Sequence, residues 1–121
     1  MSVLTIVGVG LLGGIGALGR LLLDGLVSAR SAGTFPAGTL TVNLIGSLLL
    51  GILVGAGPGE DVLRLAATGL IGSFTTFSTW MLETQRLAEE GDGRIAAANV
   101  AVSLALGIGV AWIGIQLGEA L

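Results

Sequence analysis

The sequence contains no cysteine and no histidine. Their absence excludes thiol chemistry, disulfides, imidazole acid–base catalysis and the usual transition-metal ligands, so a redox or zinc enzyme is not expected. Charged residues make up only 11% of the chain, and no basic block offers a surface for nucleic acid. No nucleophile and base pair is visible either. We therefore expect neither an enzyme nor a nucleic-acid partner.

Apolar residues dominate instead, at 53% of the 121 residues. Apolar runs of about 20 residues recur, and a helix of that length crosses roughly 30 Å of hydrocarbon. The first run is expected to be a retained span, because no positive region of a signal peptide precedes it. The pattern predicts an all-α membrane protein in contact with lipid, with one domain over residues 1–121. Its four transmembrane helices are predicted at about residues 3–23, 37–56, 62–87 and 95–117.

A polar interruption lies in the middle of the third predicted span, at residues 69–80. Freed backbone groups at mid-membrane depth cannot find bulk water, so this stretch must face protein, an ion or a water-filled path. One interpretation is a broken helix whose carbonyl oxygens turn toward a cation. The other is a kinked helix whose hydroxyls bond back to its own carbonyls. The hydroxyl and glycine positions concerned are Gly72, Ser73, Thr75, Thr76, Ser78 and Thr79.

Polar side chains in the other spans allow a packing and a functional interpretation. Asn43 should face protein, water or ligand, and alone it would be explained by an interhelical hydrogen bond. Arg20 could extend to the headgroups or point into a polar cavity. Asn99, Ser103 and Gly107 recur every four residues, which predicts either a helix-packing seam or a track for a solute.

Phe77 and Trp80 are three residues apart and are therefore predicted to be neighbours on one helical face. An aromatic pair of this kind usually contributes to packing, although the edge of an aromatic ring is electrostatically positive. Spacing alone does not assign the pair a ligand.

Three motifs in register identify a family. They are Gly13-Gly14-x-Gly16-Ala17-x-x-Arg20, Phe35-Pro36-x-Gly38-Thr39-x-x-Val42-Asn43-x-x-Gly46-Ser47 and Gly72-x-x-Thr75-Thr76-Phe77-Ser78-Thr79. With these motifs, in this order and spacing over four spans, the whole chain resembles the Fluc family, also called CrcB, of small bacterial fluoride channels.

The resemblance implies a passive fluoride channel that relieves fluoride toxicity from the bacterial plasma (inner) membrane. It implies an antiparallel dimer of the dual-topology type, with the third helix broken mid-membrane and a structural sodium ion (Na+) at the dimer centre. Backbone carbonyls of Gly72 and Thr75 would hold the sodium. Arg20 would lie near the vestibule. The residues implied for the fluoride path are Asn43, Phe77, Ser78, Thr79, Trp80 and Ser103.

The chain departs from the family pattern at three pore-lining positions. Trp80 replaces a second phenylalanine, Asn99 replaces a tyrosine, and Gly107 replaces a hydroxyl residue. Arginine is also unevenly placed, with Arg64 alone on one side and Arg20, Arg30, Arg86 and Arg94 on the other. Because arginine bias sets orientation, the chain is predicted to insert in one direction with both termini outside. It could therefore pair with a homologue as a heterodimer rather than form a homodimer.

Two other classes remain as alternatives. A small multidrug exporter coupled to protons is also built of four short helices, but it needs a carboxylate in the membrane core. The first span offers none before Asp24. A non-conducting assembly subunit would use the glycines for packing only, whereas the hydroxyl cluster at mid-span is not required for packing.

Overall fold

The computed structural model describes all 121 residues and contains helices and turns only. Three of the helices, α1, α2 and α6, are long and apolar enough to cross a membrane. The predicted all-helical membrane chain is confirmed to this extent. The elements are α1 (Val3–Arg30), α2 (Ala37–Ala56), α3 (Glu60–Leu63), a π-helical stretch π1 (Arg64–Ile71), α4 (Gly72–Phe74), α5 (Ser78–Glu89) and α6 (Gly93–Glu119).

Local sequence explains the ends of the long helices. The Ser2 side chain accepts a hydrogen bond from the N–H of Thr5 at 3.1 Å and so caps the start of α1. Pro36 precedes α2, where its fixed φ and its missing N–H are tolerated. Gly57 ends α2 at φ 64°, a left-handed conformation that glycine adopts without steric cost. These signals place α2 over the same residues as the second predicted span.

The first helix is longer than the first predicted span. That span ends at residue 23, but α1 continues through Asp24 to Arg30. The side chain of Ser28 donates to Asp24 at 3.1 Å, one turn earlier, which supports the extension. A charged residue therefore marks the end of the apolar run without ending the helix.

Residues 60–89, the third segment, are divided where the other helices are continuous. The π-helical turns of π1 lead into α4, and the N–H of Gly72 bonds to the carbonyl of Ala67. Helical geometry stops after Phe74, because Thr75 is extended at φ −85° and ψ 162°. It resumes at Ser78 with α5.

Close contacts between glycines and neighbouring backbones bring the helices together. A side chain at Gly114 or Gly118 would overlap the backbone of α2, and one at Gly51 would overlap α6. Likewise, a side chain at Gly16 of α1 would overlap Ser73 and the carbonyl of Leu70. Small residues thus let α6 pack on α2 and let the third segment pack on α1, as expected for helices in lipid.

The chain buries little of itself. Only 14 of its 121 residues are buried, and two of the three largest fully buried side chains, Asn99 and Thr39, are polar. Large apolar side chains face outward instead, including Leu4 at 82% and Ile108 at 70% exposure. This distribution suits a protein whose surroundings are apolar and whose interior is polar.

Candidate ion pathway

The side chain of Asn43, on α2, binds the backbone of the third segment at its interruption. Its Nδ2 donates to the carbonyl of Thr76, and its Oδ1 accepts from the N–H of the same residue, both at 2.8 Å. One side chain thereby replaces both backbone bonds that Thr76 loses outside a helix. The prediction that Asn43 faces protein is confirmed, and the partner is a backbone 33 residues away in sequence.

The hydroxyls at the interruption bond within their own segment. The Ser73 hydroxyl donates to the carbonyl of Gly69 at 2.8 Å, and the Thr75 hydroxyl donates to that of Ile71 at 3.1 Å. These are the i−4 bonds of the kinked-helix interpretation. They coexist with the extended backbone at Thr75.

Thr76 lies just before α5, which begins at Ser78. Its hydroxyl accepts from the N–H of Thr79 at 3.1 Å and so satisfies one of the N–H groups in the first turn of that helix. The sequence predicted an interruption that includes Thr76, but it did not predict this bond.

The carbonyls of Gly72, Ser73 and Thr75 are left without donors. No backbone N–H in the turns and no side chain of the chain donates to any of the three. The N–H of Thr76 would ordinarily bond to the carbonyl of Gly72, but it bonds to Asn43 instead. Similarly, the N–H of Thr79 bonds to the hydroxyl of Thr76 rather than to the carbonyl of Thr75. Free carbonyl oxygens in an apolar setting require another partner.

An open groove of about 490 Å³ lies between α2, the third segment and α6. Apolar residues form most of its wall, and no charged residue lines it. Its polar, glycine and aromatic lining consists of Asn43, Gly46, Ser47, Gly72, Thr75, Thr76, Phe77, Trp80, Ser103 and Gly107. The groove therefore brings together residues from the second, third and fourth predicted spans.

The two aromatic rings of the groove contact each other edge to face. The ring centroids of Phe77 and Trp80 are 5.7 Å apart and the planes are inclined by 83°. Their predicted proximity is confirmed. Phe77 is 69% exposed, an unusual position for an apolar ring in a packed core but a natural one beside an open groove.

Trp80 is also tied to α6. Its indole N–H donates to the carbonyl of Asn99 at 3.2 Å, and the Asn99 Nδ2 donates to the Thr84 hydroxyl at 2.9 Å. That hydroxyl in turn donates to the carbonyl of Trp80 at 2.8 Å. The three residues close a hydrogen-bonded ring between α5 and α6. Thr84 had not been singled out, and nothing in its sequence position marks it.

Several predicted path residues lie outside the groove. Arg20, Ser78 and Thr79 are not part of its lining, and Asn99 is buried behind it at 1% exposure. The Arg20 Nε is buried without a hydrogen-bond partner, and this arginine forms no ion pair. Of the predicted stripe on α6, only Ser103 and Gly107 line the groove.

Carboxylates are also absent from the groove. Glu83, one turn beyond Trp80, accepts a hydrogen bond from the buried hydroxyl of Thr39 and lies outside the lining. A proton-coupled exporter needs a titratable carboxylate where its substrate binds. The multidrug-exporter alternative is therefore not favoured.

Helices of membrane length around an uncharged groove define a small multi-pass membrane protein. Comparison with known proteins agrees with this class. The family model described as "CrcB-like protein, Camphor Resistance (CrcB)" matches residues 7–115. The chain belongs to the CrcB family, and the resemblance drawn from the sequence motifs is confirmed.

Relatives extend over nearly the whole chain. It is 51% identical over 113 residues to "Fluoride-specific ion channel FluC 2" of Mycolicibacterium paratuberculosis, covering 93% of each protein. It is 53% identical over 108 residues to the FluC 2 protein of Mycobacterium tuberculosis, covering 89% of this chain and 86% of the relative. "Fluoride-specific ion channel FluC 1" of Symbiobacterium thermophilum is 42% identical, with 91% and 94% covered. These names describe ion channels and agree with the prediction that the chain is not an enzyme.

Proposed function

We propose that this protein is a subunit of a fluoride-selective channel that lets fluoride leave the cell passively and so relieves fluoride toxicity. The observation that carries the proposal is the uncharged groove, in which an amide, hydroxyls and aromatic edges converge within a chain of the CrcB family. Fluoride is small and strongly hydrated, so a narrow path must replace its water with hydrogen-bond donors. The site of action is the bacterial plasma (inner) membrane.

Different residues of the groove supply the groups that replace the water around fluoride. The Asn43 amide keeps one N–H that no protein group accepts, and the Ser103 hydroxyl has no partner, so both are available as donors. Phe77 lines the same space, and the edge of an aromatic ring is electrostatically positive. Arg20 contributes positive potential near an entrance, which raises the local concentration of anions. Ser78 and Thr79 line the path where two chains meet.

A structural sodium ion fits the interruption of the third segment. The oxygens available to it are backbone carbonyls, including those of Gly72 and Thr75, which receive no donor within the chain. Oxygen ligands suit a hard cation, and unwound backbone carbonyls bind sodium in other membrane proteins. Because only the carbonyls take part, Thr75→Ala should still show sodium-dependent thermal stability when sodium chloride is compared with choline chloride.

The working unit is an antiparallel dimer. One chain leaves its groove open on a side and leaves Gly72 exposed at the interruption, so a second copy would complete both features. The third segment then crosses the membrane with its break at mid-depth. Symbiobacterium thermophilum has relatives named FluC 1 and FluC 2, which supports a partner that is a homologous chain rather than an identical one.

Fluoride efflux from liposomes tests the proposal. Vesicles containing this chain alone are loaded with fluoride, an ionophore relieves charge build-up, and chloride efflux serves as the control. Fast efflux of fluoride but not of chloride is expected for a homodimer. For a heterodimer, the same efflux is expected only after reconstitution with the homologous chain. If neither preparation releases fluoride although the protein is folded and inserted, the channel function is refuted.

A further inference from the structure

The hydroxyl of Ser103 differs from most other hydroxyls on the helices of this chain. It is buried, lines the groove and has no hydrogen-bond partner. A helical serine commonly donates to the carbonyl four residues earlier. Five other residues here make that bond, namely Ser31, Thr41, Ser73, Thr75 and Thr84. For Ser103, the corresponding acceptor is the carbonyl of Asn99.

That carbonyl is already occupied. The indole N–H of Trp80 donates to it at 3.2 Å, and the helical N–H of Ser103 is its regular α-helical partner. A carbonyl oxygen has two lone pairs, so two donors satisfy it. The Ser103 hydroxyl would be a third donor, which explains why it remains unbonded.

Trp80 is held in this position by contacts of its ring and of its backbone. The edge-to-face contact with Phe77 orients the ring. The Thr84 hydroxyl bonds to the backbone of Trp80, and the Asn99 side chain bonds to Thr84. All of these contacts lie within one chain, so they do not depend on which partner completes the dimer.

We propose that Trp80 is a positioning residue whose indole N–H occupies the carbonyl of Asn99 and thereby keeps the Ser103 hydroxyl free to donate to an anion in the groove. The identity of that anion as fluoride rests on the proposed function. The state of the hydroxyl does not, because it follows from the hydrogen bonds within the chain. Trp80 thus does more than fill the groove wall.

Infrared spectroscopy of a single thiol tests the hydrogen bonding without any transport assay. The chain has no cysteine, so Ser103→Cys introduces the only S–H group. With Trp80 present, its stretching band is expected at the position of an unbonded thiol. Combined with Trp80→Phe, the band is expected to shift to lower wavenumber as the thiol donates to the carbonyl of Asn99.

Thr41→Cys supplies the reference, because the Thr41 hydroxyl bonds to the carbonyl of Ala37 on α2, away from Trp80. Its band should lie at the bonded position with and without Trp80→Phe. The proposal is overturned if the thiol from Ser103→Cys already absorbs at the reference position beside Trp80. It is equally overturned if Trp80→Phe leaves that band in place.

Fluoride efflux then tests the consequence for transport. Ser103→Ala should slow efflux about tenfold beside Trp80, the effect of losing one hydrogen bond to a charged group. In the Trp80→Phe background the same change should slow efflux less than about twofold, because the hydroxyl is already engaged. Ser47→Ala, on the α2 side of the groove, should have the same effect in both backgrounds. Equal losses from Ser103→Ala in both backgrounds would overturn the positioning role. Absence of fluoride efflux from every preparation would instead refute the proposed function, and the thiol bands would still decide the inference.

Discussion

At the scale of single residues, Asn43 has two tasks that use different parts of one amide. Its oxygen and one N–H hold the backbone of Thr76, while the remaining N–H borders the groove. A neutral amide carries its donor and its acceptor on two separate atoms, so it can bind a backbone N–H and a backbone carbonyl at the same time. The residue therefore links the local stability of the interruption to the chemistry of the path.

Asn43→Asp tests these two tasks with almost no change in side-chain volume. The carboxylate still accepts from the N–H of Thr76, but it loses the donor to the carbonyl and places negative charge on an anion path. We expect fluoride efflux to fall at least about tenfold, measured in liposomes. Thr41→Val is the control, since its hydroxyl bonds only within α2. Unchanged efflux in Asn43→Asp would remove this residue from the pathway.

At the scale of elements, the pairing of α2 with α6 depends on backbones that approach closely. A Cβ at Gly114 would lie 3.1 Å from the Cα of Gly51 and 3.0 Å from the amide nitrogen of Ile52. Both contacts are with backbone, which cannot move aside as a flexible side chain does. The groove is bounded by the same two helices, so their separation also sets its width.

Gly114→Ala should therefore destabilise the chain. We expect the free energy of unfolding to fall by about 2 kcal/mol, typical of overpacking, as measured by thermal or denaturant unfolding in detergent. Gly109→Ala is the matched control on α6, because a Cβ there meets nothing within 4 Å. It should leave stability unchanged or raise it by up to about 1 kcal/mol through helix propensity. Equal effects of the two substitutions would contradict the close-packed seam.

The sequence alone predicts most of the helices and many of the residues that line the groove, and the reasons can be identified. Hydropathy predicts helices because bilayer thickness fixes their length, and this worked for α2 and α6. It misplaced the end of α1 because a helix continues beyond the hydrocarbon into Asp24. An amide in an apolar run predicted that Asn43 contacts protein. It could not name Thr76 as the partner, since the pairing joins residues distant in sequence.

It was harder to predict which polar side chains of α6 line the groove. Regular spacing put Asn99 and Ser103 on one face, yet Asn99 is buried against Thr84 and only Ser103 lines the groove. Side chains one turn apart share a face only approximately. Asn99 is held toward α5 by two bonds, one from its amide to the Thr84 hydroxyl and one from the Trp80 indole N–H to its carbonyl. These bonds depend on how α5 lies against α6, which no local pattern contains.

At the scale of the whole molecule, the placement of arginine bears on assembly. Topology puts Arg30, Arg86 and Arg94, all exposed, at one end of the helices, and Arg64 at the other. Such a bias directs insertion. An antiparallel homodimer requires both orientations, so directed insertion would make a homologous chain the partner in the dimer proposed above.

Labelling from one side of the membrane distinguishes the two assemblies. Ala32→Cys and Gly59→Cys place single thiols in exposed loops at opposite ends of the helices. If insertion is directed, an impermeant thiol reagent added outside intact cells should label Gly59→Cys fully and Ala32→Cys not at all. Labelling of about half of each variant, as expected for two orientations in equal amounts, would contradict directed insertion and restore the homodimer.

The bonds between Asn43 and Thr76 join α2 to the interruption between α4 and α5 of the same chain. A single polypeptide therefore contains both partners of this joint and needs no second subunit to form it. Folding of the subunit and choice of partner become separate events in biogenesis. After a gene duplication, the contact surfaces of two copies are then free to diverge and to recognise each other, while each copy keeps the internal joint that its fold requires.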